Sequence, residues 1–429
     1  MTVRRTALSL LMALEERGGF ANLLLSDAVL ARAGDDAPLL CALFYGTVER
    51  RLTLDYAIGV LASRDSESLT AHTRNLLRLG LYQIYFMKIP AHAATDKTVS
   101  LGENKGERAL VNALLRRAAC TPLPLPPVSR KARHLSVKYS FPLSTVRFFL
   151  SLYGEEETEA LLSAFNEVAP LTLTVNAGRV TREEYLAILS EAGHAAAPTA
   201  YAKRSLRLKG SISPERLPYF KDGYFLVQDE ASALAMEALD VRRGDTVIDV
   251  CSAPGGKILS AATSIGGEGK FYAFDLHESK LSLIRESAAR LGVSVDVRAC
   301  DATKGDESLF GKADRVICDV PCSGLGVLGK KPDLRYRERD GSLAPLGLEI
   351  LNTSAKYLKT GGVLVYSTCT LSPDENEENV RLFLDAHPDF APLDFSFDGG
   401  LASENGYITL LPHKNGTDGF FMAKLTKRI

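Results

Sequence analysis

The fold is decided by the stretch Asp249-Val-Cys-Ser-Ala-Pro-Gly-Gly-Lys257, which continues the apolar run Val247 to Val250. An apolar strand that leads through a Pro-Gly-Gly turn into a helix is typical of a ligand-binding loop. Adjacent glycines let the backbone come close to a ligand, and the helix N-terminus favours a carboxylate or a phosphate. The stretch matches neither G-x-G-x-x-G nor a P-loop, which argues against a dinucleotide or nucleoside-triphosphate site. A tight turn without a ligand is the alternative.

Four more short apolar runs follow this stretch, with helix-like segments between most of them. They are Phe271 to Phe274, Val293 to Val297, Val316 to Asp319 and Val363 to Tyr366. This alternation predicts a doubly wound, Rossmann-like α/β domain with a mostly parallel sheet. In such a sheet the ligand lies at the carboxyl ends of the strands.

Acidic residues follow two of these runs. Asp275 ends the second strand, 19 residues after Gly256, where a carboxylate typically holds ribose hydroxyls. Asp301 follows the third run and could approach an adenine edge in the same way. A helix N-cap or a turn residue is the alternative for Asp301.

Two cysteines lie at the predicted carboxyl ends of neighbouring strands. One belongs to Asp319-Val-Pro-Cys-Ser-Gly324 and the other to Tyr366-Ser-Thr-Cys-Thr370. A buried structural cysteine is the usual alternative. Two thiols at the ligand edge of one sheet, one of them beside an aspartate, favour thiol chemistry instead.

The rest of the chain has a different organisation. Residues 1–119 show apolar spacing typical of helices, and Thr121-Pro-Leu-Pro-Leu-Pro-Pro127 predicts a linker. Residues 130–235 are mixed, with strands predicted at Leu171 to Val175 and Ser205 to Lys209. Six basic residues lie between Tyr201 and Lys221, which favours either a solvated strand edge or a contact with nucleic acid. These boundaries predict domains at 1–125, 126–235 and 236–429.

Composition narrows the class of protein. The 429 residues are 46% hydrophobic and 24% charged, as in soluble globular proteins, and they contain no apolar run of 18 residues. None of the seven cysteines forms a C-x-x-C pair, which argues against a disulfide framework and a thiolate zinc site and favours a cytoplasmic protein. Residues 1–140 hold 19 Lys and Arg against 12 Asp and Glu, which is compatible with a module that binds nucleic acid.

The three decisive runs resemble motifs I, IV and VI of the RNA (cytosine-C5) methyltransferases. Gln228-Asp-Glu-Ala-Ser232, Lys331-Pro-Asp-Leu-Arg335 and Asp418-Gly-Phe-Phe-Met-Ala-Lys424 are also similar to that family. The N-terminal helices, with Val111-Asn-Ala-Leu-Leu-Arg-Arg117, resemble the NusB fold. The combination is similar to bacterial enzymes that methylate small-subunit (16S) ribosomal RNA. One departure is Ile258-Leu259, where the family usually has threonines.

The resemblance implies an all-α NusB-like domain, a small α+β domain that binds or links RNA, and a seven-stranded methyltransferase domain. It implies S-adenosyl-L-methionine as methyl donor and no metal. It also implies a monomer that acts on a single-stranded or flipped cytosine. By motif matching, the cofactor site would contain Cys251, Ser252, Ala253, Pro254, Gly255, Gly256, Lys257, Asp275, Asp301 and Asp319. The nucleophile would be Cys369, Cys322 would assist product release, and Asp319 and Lys257 would complete the catalytic group.

The chemistry explains the need for a thiol. Cytosine C5 is a poor nucleophile, and a thiolate that adds to C6 makes C5 enamine-like, so that C5 can attack the methyl group. A base then removes the C5 proton and the thiolate leaves. Asp319 could hydrogen-bond or protonate cytosine N3, and the second thiol could act as the base.

Other functions fit the sequence less well. An amino-group methyltransferase would carry Asp/Asn-Pro-Pro-Tyr after the fourth strand, and a DNA cytosine methyltransferase would leave Cys369 unexplained. A ribosome-assembly factor that binds RNA, with weak or different activity on tRNA or another RNA, is the alternative. The presence of both cysteines, the Gly-Gly turn and three strand-end aspartates argues against an RNA-binding factor whose catalytic domain is vestigial.

Overall fold

The computed structural model divides into two units, and each is discontinuous in sequence. It describes residues 2–17, 21–210, 212–337 and 341–428. The helical unit contains residues 1–167 and 328–338, and the α/β unit contains residues 168–327 and 339–429. This division differs from the three domains expected at 1–125, 126–235 and 236–429, whose bounds stay a prediction.

The helical unit confirms the all-helical prediction for the N-terminal residues that the structure describes. Its helices are α1 (Val3–Arg17), α2 (Ala21–Leu24), α3 (Asp27–Ala33), α4 (Ala37–Glu49), α5 (Arg51–Ala62), α6 (Ala71–Tyr85), α7 (Ala91–Val99), α8 (Lys105–Ala119), α9 (Lys131–Tyr139) and α10 (Leu143–Ala164). The proline-rich residues 121–127 form neither helix nor strand. Gly154, with φ of 75°, breaks α10 into two helical stretches. Leucines at helical spacing form the core, among them Leu40, Leu43, Leu76, Leu77 and Leu115.

The late segment 328–338 completes this unit. It contains a 3-10 helix, Pro332–Tyr336, in which the large side chain of Arg335 is only 1% exposed. The guanidinium lies 4.3 Å from the centre of the Phe141 ring. Its hydrogen-bond acceptors, at 2.8–3.3 Å, are the carbonyl oxygens of Glu49, Phe165 and Leu328 and the side-chain oxygen of Asn166. Burial lowers the pKa of Arg335 to about 10, so the buried group still carries its charge at neutral pH.

The α/β unit begins with a small antiparallel sheet of order β2-β3-β1-β4. Its elements are β1 (Leu171–Val175), α11 (Arg182–Glu191), β2 (Ala196–Pro198), β3 (Ser205–Leu208) and β4 (Phe225–Val227). Both predicted strands are present, but β3 lies between β2 and β1, so the interpretation of its basic residues as protection of a sheet edge is wrong. Arg204 instead donates to the carbonyl oxygens of Val175 and Ser260 at 2.9 Å.

The large sheet has eight strands rather than the predicted seven. Seven lie in the order β10-β12-β9-β8-β5-β6-β7, and β11 pairs with β12. The pairs from β9 to β7 are parallel, and β10, β11 and β12 pair antiparallel. The strands are β5 (Thr246–Asp249), β6 (Lys270–Asp275), β7 (Asp296–Ala299), β8 (Ala313–Asp319), β9 (Leu358–Thr368), β10 (Phe390–Pro392), β11 (Tyr407–Leu410) and β12 (Phe420–Lys427).

Helices cover both faces of this sheet. They are α12 (Glu230–Leu239), α13 (Gly256–Ser264), α14 (Glu278–Leu291), α15 (Leu343–Ala355), α16 (Glu377–Ala386) and α17 (Pro412–Asn415). Successive strand residues point to opposite faces, so Val247 packs in the cluster with α13 while Ile248 packs in the cluster with α15. Burial on both faces explains why these strands read as continuous apolar runs. Ile258 and Leu259 are buried in the first cluster and therefore serve packing.

The helices of both units can be compared with membrane-spanning helices in length and hydropathy. Within the described residues, none combines the length and the apolar character that a bilayer crossing requires.

Candidate active site

The predicted site residues meet at one edge of the large sheet. The neighbouring strands β6, β5, β8 and β9 all run in the same direction, so their carboxyl ends lie together. Asp275, Asp249, Asp319 and Thr368 are the last residues of these strands. The turns and loops that follow them carry the glycines and both cysteines.

The loop after β5 is shaped to approach a ligand. Gly255 has φ of 103°, a conformation that L-residues rarely adopt, and it directly precedes α13. A Cβ atom at Gly256 would meet no atom within 4 Å, so space is open beside the first turn of the helix. Because the cap residue is a glycine, no side chain covers the N–H groups of that turn.

Gln228 lies against this loop and was not among the predicted site residues. Its Nε2 donates to the carbonyl oxygen of Gly256 at 3.1 Å, while its Oε1 is buried without a hydrogen-bond partner. A buried orphan acceptor beside open space and uncapped N–H groups fits the amino and carboxylate groups of S-adenosylmethionine. The signal for Gln228 was its own motif, Gln228-Asp-Glu-Ala-Ser232.

The two aspartates predicted to bind the nucleoside differ in their surroundings. Asp275 is 9% exposed and accepts from the backbone N–H groups of Ala253 and His277, at 3.2 and 3.0 Å. A carboxylate can accept about four hydrogen bonds, so Asp275 keeps capacity for ribose hydroxyls. Asp301 follows β7 by two residues, and Thr303 and Lys304 already bind both of its oxygens. Hydrogen bonds from Thr303 and Lys304 lower the pKa of Asp301 to about 2.

The two cysteine sulfurs lie 3.4 Å apart. Cys322 follows β8 and Cys369 follows β9, which are adjacent strands. The hydrogen bond to Cys369 and burial together raise the pKa of the Cys322 thiol well above its ordinary value. The raised pKa keeps the proton on Cys322, while the geometry allows either sulfur to donate the hydrogen bond between them.

A lysine–aspartate ion pair lies beside these thiols. Lys257 Nζ is 2.7 Å from Asp319 Oδ2, and the Ser367 hydroxyl donates to Asp319 Oδ1 at 2.7 Å. Burial alone would lower the pKa of Lys257, but the carboxylate of Asp319 and the sulfur of Cys369 raise it above its ordinary value. The ammonium thus places a positive charge where a thiolate at Cys369 gains stability.

Asp249, the last residue of β5, is also buried at this edge, with 1% exposure. Its Oδ1 accepts from the backbone N–H of Cys251 at 3.3 Å. Burial and the negative charge of Asp319 raise the pKa of Asp249 to about 7. The edge of the sheet therefore holds two neighbouring carboxyl groups, of which Asp319 has the positively charged partner.

The structure brings together most of the predicted residues. Cys251 to Lys257, Asp275, Asp319, Cys322 and Cys369 all lie at this edge, while Asp301 is engaged in its own turn. Their individual roles stay predictions. Besides Gln228, sequence reasoning missed Ser367 and Glu375, although Ser367 lies inside a quoted motif.

Three parts of the chain match known protein families. Residues 236–426 match a family described as 16S rRNA methyltransferase RsmB/F. Residues 1–120 match the NusB family, and residues 145–214 match the ferredoxin-like domain of RsmF/B-like methyltransferases.

Whole-chain relatives agree with these matches. The chain is 34% identical over 446 residues to the probable ribosomal RNA small subunit methyltransferase B of Bacillus subtilis (strain 168), covering 100% of this chain and 99% of that protein. It is 34% identical over 399 residues to ribosomal RNA small subunit methyltransferase B of Pseudomonas putida, covering 91% of each.

Two solved structures show the same fold. The crystal structure of PH0851 has a TM-score of 0.81 and 27% identity, covering 100% of this chain and 99% of that one. A methyltransferase homolog protein from Pyrococcus horikoshii has a TM-score of 0.60 and 28% identity, covering 71% of this chain and 100% of that one.

Proposed function

Since the chain belongs to the family of 16S rRNA methyltransferases RsmB/F, we propose that it methylates C5 of one cytosine in small-subunit (16S) ribosomal RNA. The reaction passes through a covalent bond between a cysteine and C6 of the base. S-adenosylmethionine is the methyl donor. The observation that carries the proposal is the 3.4 Å separation of Cys322 and Cys369 at the ligand edge of the sheet. One thiol serves attack and the other serves release.

Attack begins at Cys369. The pKa of Cys322 is raised and the Cys369 sulfur interacts with the Lys257 ammonium, so Cys369 is the thiol that supplies the thiolate. The thiolate adds to C6, and the electrons of the C5–C6 double bond make C5 nucleophilic. Asp319 relays to cytosine N3 a proton that it takes from the Lys257 ammonium, 2.7 Å away.

Release depends on Cys322. Once Cys369 is bonded to C6 it is a thioether, so the main cause of the raised Cys322 pKa is gone. After C5 has taken the methyl group, Cys322 gives its proton to water and, as a thiolate, removes the C5 proton. The C5–H electrons restore the C5–C6 double bond, the Cys369–C6 bond breaks with its electrons going to sulfur, and N3 returns its proton to Asp319. A stacked cytosine hides C6, so the base must be single-stranded or flipped out. All groups in this scheme lie on one chain, which supports action as a monomer.

The helical unit supplies affinity for RNA in this proposal. Its NusB match and the excess of basic residues over residues 1–140 support that role. The alternative, an assembly factor that modifies another RNA, gains no specific support from the site. Bisulfite sequencing of 16S ribosomal RNA from cells with and without the gene tests the substrate, with tRNA sequenced in parallel.

The two thiols can be separated by substitution. Cys322→Ala should attack and methylate but fail to release, and should accumulate a protein–RNA species that survives denaturing electrophoresis. Cys369→Ala should show no turnover and no adduct, because the nucleophile is gone. Cys120→Ala, which removes an exposed cysteine of the helical unit, is the matched control. Adduct in Cys369→Ala and none in Cys322→Ala would exchange the two roles, and no adduct in either would contradict the covalent mechanism.

A further inference from the structure

Glu375 connects the two cysteine-bearing segments. It ends the 3-10 turn Pro373–Glu375 after β9 and is 6% exposed. Its carboxylate accepts two hydrogen bonds from one residue: the backbone N–H of Ser323 at 2.8 Å and the Ser323 hydroxyl at 2.6 Å. Ser323 directly follows Cys322, so this contact fixes the backbone that carries one of the two thiols.

A second hydrogen bond extends the connection to the other thiol. The Ser323 oxygen lies 2.7 Å from the hydroxyl oxygen of Thr370, which directly follows Cys369. The Ser323 hydroxyl has one hydrogen and gives it to Glu375, since a carboxylate only accepts. Thr370 must therefore donate to Ser323. The result is a directed chain from Thr370 through Ser323 to Glu375.

The backbone around Glu375 is itself fixed to β9. The Tyr366 hydroxyl donates to the carbonyl oxygen of Glu375 at 2.6 Å. Asn376 accepts from the Thr368 hydroxyl at 2.6 Å and donates to the carbonyl oxygen of Thr370 at 3.0 Å. Glu375 thus belongs to the same rigid segment as Cys369, and its carboxylate extends from that segment to the one that carries Cys322.

We propose that Glu375 is a positioning residue that sets the distance between the sulfurs of Cys322 and Cys369, and so sets the rate of product release. The effect on product release rests on the proposed function, whereas the effect on the distance between the sulfurs does not. Glu375 need not touch the substrate. It acts by holding Ser323. Without the Glu375 carboxylate, the loop after β8 loses the two hydrogen bonds that Ser323 donates to the turn after β9.

The first experiment measures thiol proximity without RNA or cofactor. The full-length protein is equilibrated in mixtures of reduced and oxidised glutathione, and the Cys322–Cys369 disulfide is quantified by mass spectrometry of peptides. Oxidised glutathione takes two electrons and two protons from the thiols, forming the disulfide and two reduced glutathiones. Glu375→Ala should lower the equilibrium constant for this disulfide by about tenfold or more, because the sulfurs no longer meet as often.

Control variants separate positioning from a general loss of structure. Glu375→Gln can still accept from the Ser323 N–H and can donate to its oxygen, so it should remain within about threefold of the native equilibrium constant. Ser323→Ala keeps the backbone contact and should fall between the two. Glu378→Ala removes an exposed carboxylate that pairs with Arg381 and should change nothing. An equilibrium constant for Glu375→Ala within twofold of native overturns the proposal. If Glu375→Ala does not fold, a native value for Ser323→Ala overturns it instead.

The second experiment tests the link to release. Glu375→Ala should accumulate the covalent RNA species during turnover, though less than Cys322→Ala, and Glu375→Gln should reverse the accumulation. Absence of adduct in every variant, including Cys322→Ala, would contradict the covalent mechanism while the glutathione result still decides the role of Glu375. Adduct in Cys322→Ala but none in Glu375→Ala would overturn the effect on release.

Discussion

Single residues decide which of the two adjacent thiols keeps its proton. Cys322 and Cys369 are the same chemical group at the same edge of the sheet, so position alone does not assign them. The hydrogen bond between their sulfurs and the nearby Lys257 ammonium make them unequal. The assignment of Cys369 as nucleophile in the proposal thus agrees with the electrostatics of the site.

Asp275 and Asp301 should differ in their contribution to cofactor binding. Asp275→Ala should weaken the binding of S-adenosylmethionine by roughly ten- to a hundredfold, about 1.5–3 kcal/mol, because it removes an acceptor for ribose hydroxyls. Asp301→Ala should weaken it less, since both oxygens of Asp301 are engaged by Thr303 and Lys304. Isothermal titration calorimetry on the two variants checks both values. A dissociation constant for Asp275→Ala within twofold of native would reject its role.

Asp249 should make folding stability depend on pH. Its pKa of about 7 in the folded protein exceeds the value near 4 in an unfolded chain, so the folded state holds a proton that the unfolded state has lost. Stability should therefore fall as pH rises from about 4 to about 7, and level off above. Asp249→Asn keeps the acceptor for the Cys251 N–H but has no charge, so its stability relative to native should increase over that range. Urea titrations at pH 5 and pH 8 measure this, and parallel curves would contradict it.

The site residues fall into two groups in how far the sequence could reveal them. The cysteines, Asp275 and Asp319 follow apolar runs, and parallel strands bring such positions together, so pattern alone predicted their meeting. Gln228 and Glu375 act through hydrogen bonds to residues 28 and 52 positions away. No local pattern specifies such a partner, so these contacts became visible only in the structure, although Gln228 lies inside the motif Gln228-Asp-Glu-Ala-Ser232.

At the scale of elements, the turn before α13 combines a structural glycine with one that leaves room for a ligand. A Cβ atom at Gly255 would lie 3.1 Å from Leu259 Cδ1 and 3.3 Å from Ile284 Cγ2, on a backbone with φ of 103°. Gly255→Ala should lower stability by about 1–3 kcal/mol. Gly256→Ala should keep or slightly raise stability, because alanine favours a helix, yet weaken cofactor binding by about tenfold or more.

Chemical denaturation and calorimetry on this matched pair report stability and affinity separately. Equal cofactor affinity in native protein and Gly256→Ala would show that the open space beside α13 is not used by the cofactor. A native stability for Gly255→Ala would show that the turn tolerates a side chain.

Strand prediction succeeded where burial is two-sided and failed elsewhere. β6, β8 and β9 contain the predicted runs within extended bounds, and β5 ends at Asp249, one residue before the end of its run. The run at Val293 to Val297 is displaced, since β7 spans Asp296–Ala299. β7 is the last strand of the sheet and is only partly buried, so its apolar pattern is weak. The extra strand, β11, spans four residues and pairs with a single neighbour, which leaves little signal in the sequence.

At the scale of the whole molecule, Arg335 makes the helical unit dependent on a segment encoded far from it. Arg335→Ala would leave the buried carbonyl oxygens of Phe165 and Leu328 without this donor, at a cost of roughly 2 kcal/mol or more, and would also remove the hydrogen bond to the Asn166 side chain. The expected result is a lower denaturation midpoint for the helical unit. Circular dichroism measures this midpoint through the loss of helical signal. S-adenosylmethionine identifies the other transition, because a ligand raises the stability of the unit that binds it.

Arg335→Lys is the informative companion variant. Lysine keeps the charge but has no planar fork of donors, so it should recover only part of the loss. A midpoint for Arg335→Ala equal to that of the native protein would show that the Arg335 side chain does not stabilise the helical unit.

The same segment has a consequence for synthesis on the ribosome. The chain must add the 160 residues from 168 to 327 after it completes α10 and before it delivers Arg335. At roughly 5–20 residues per second this takes about 8 to 30 s, during which the nascent helices α1 to α10 lack the side chain that binds Glu49, Phe165 and Asn166. The amino-terminal unit, although translated first, reaches its native state only after the first four parallel strands of the α/β unit have been made.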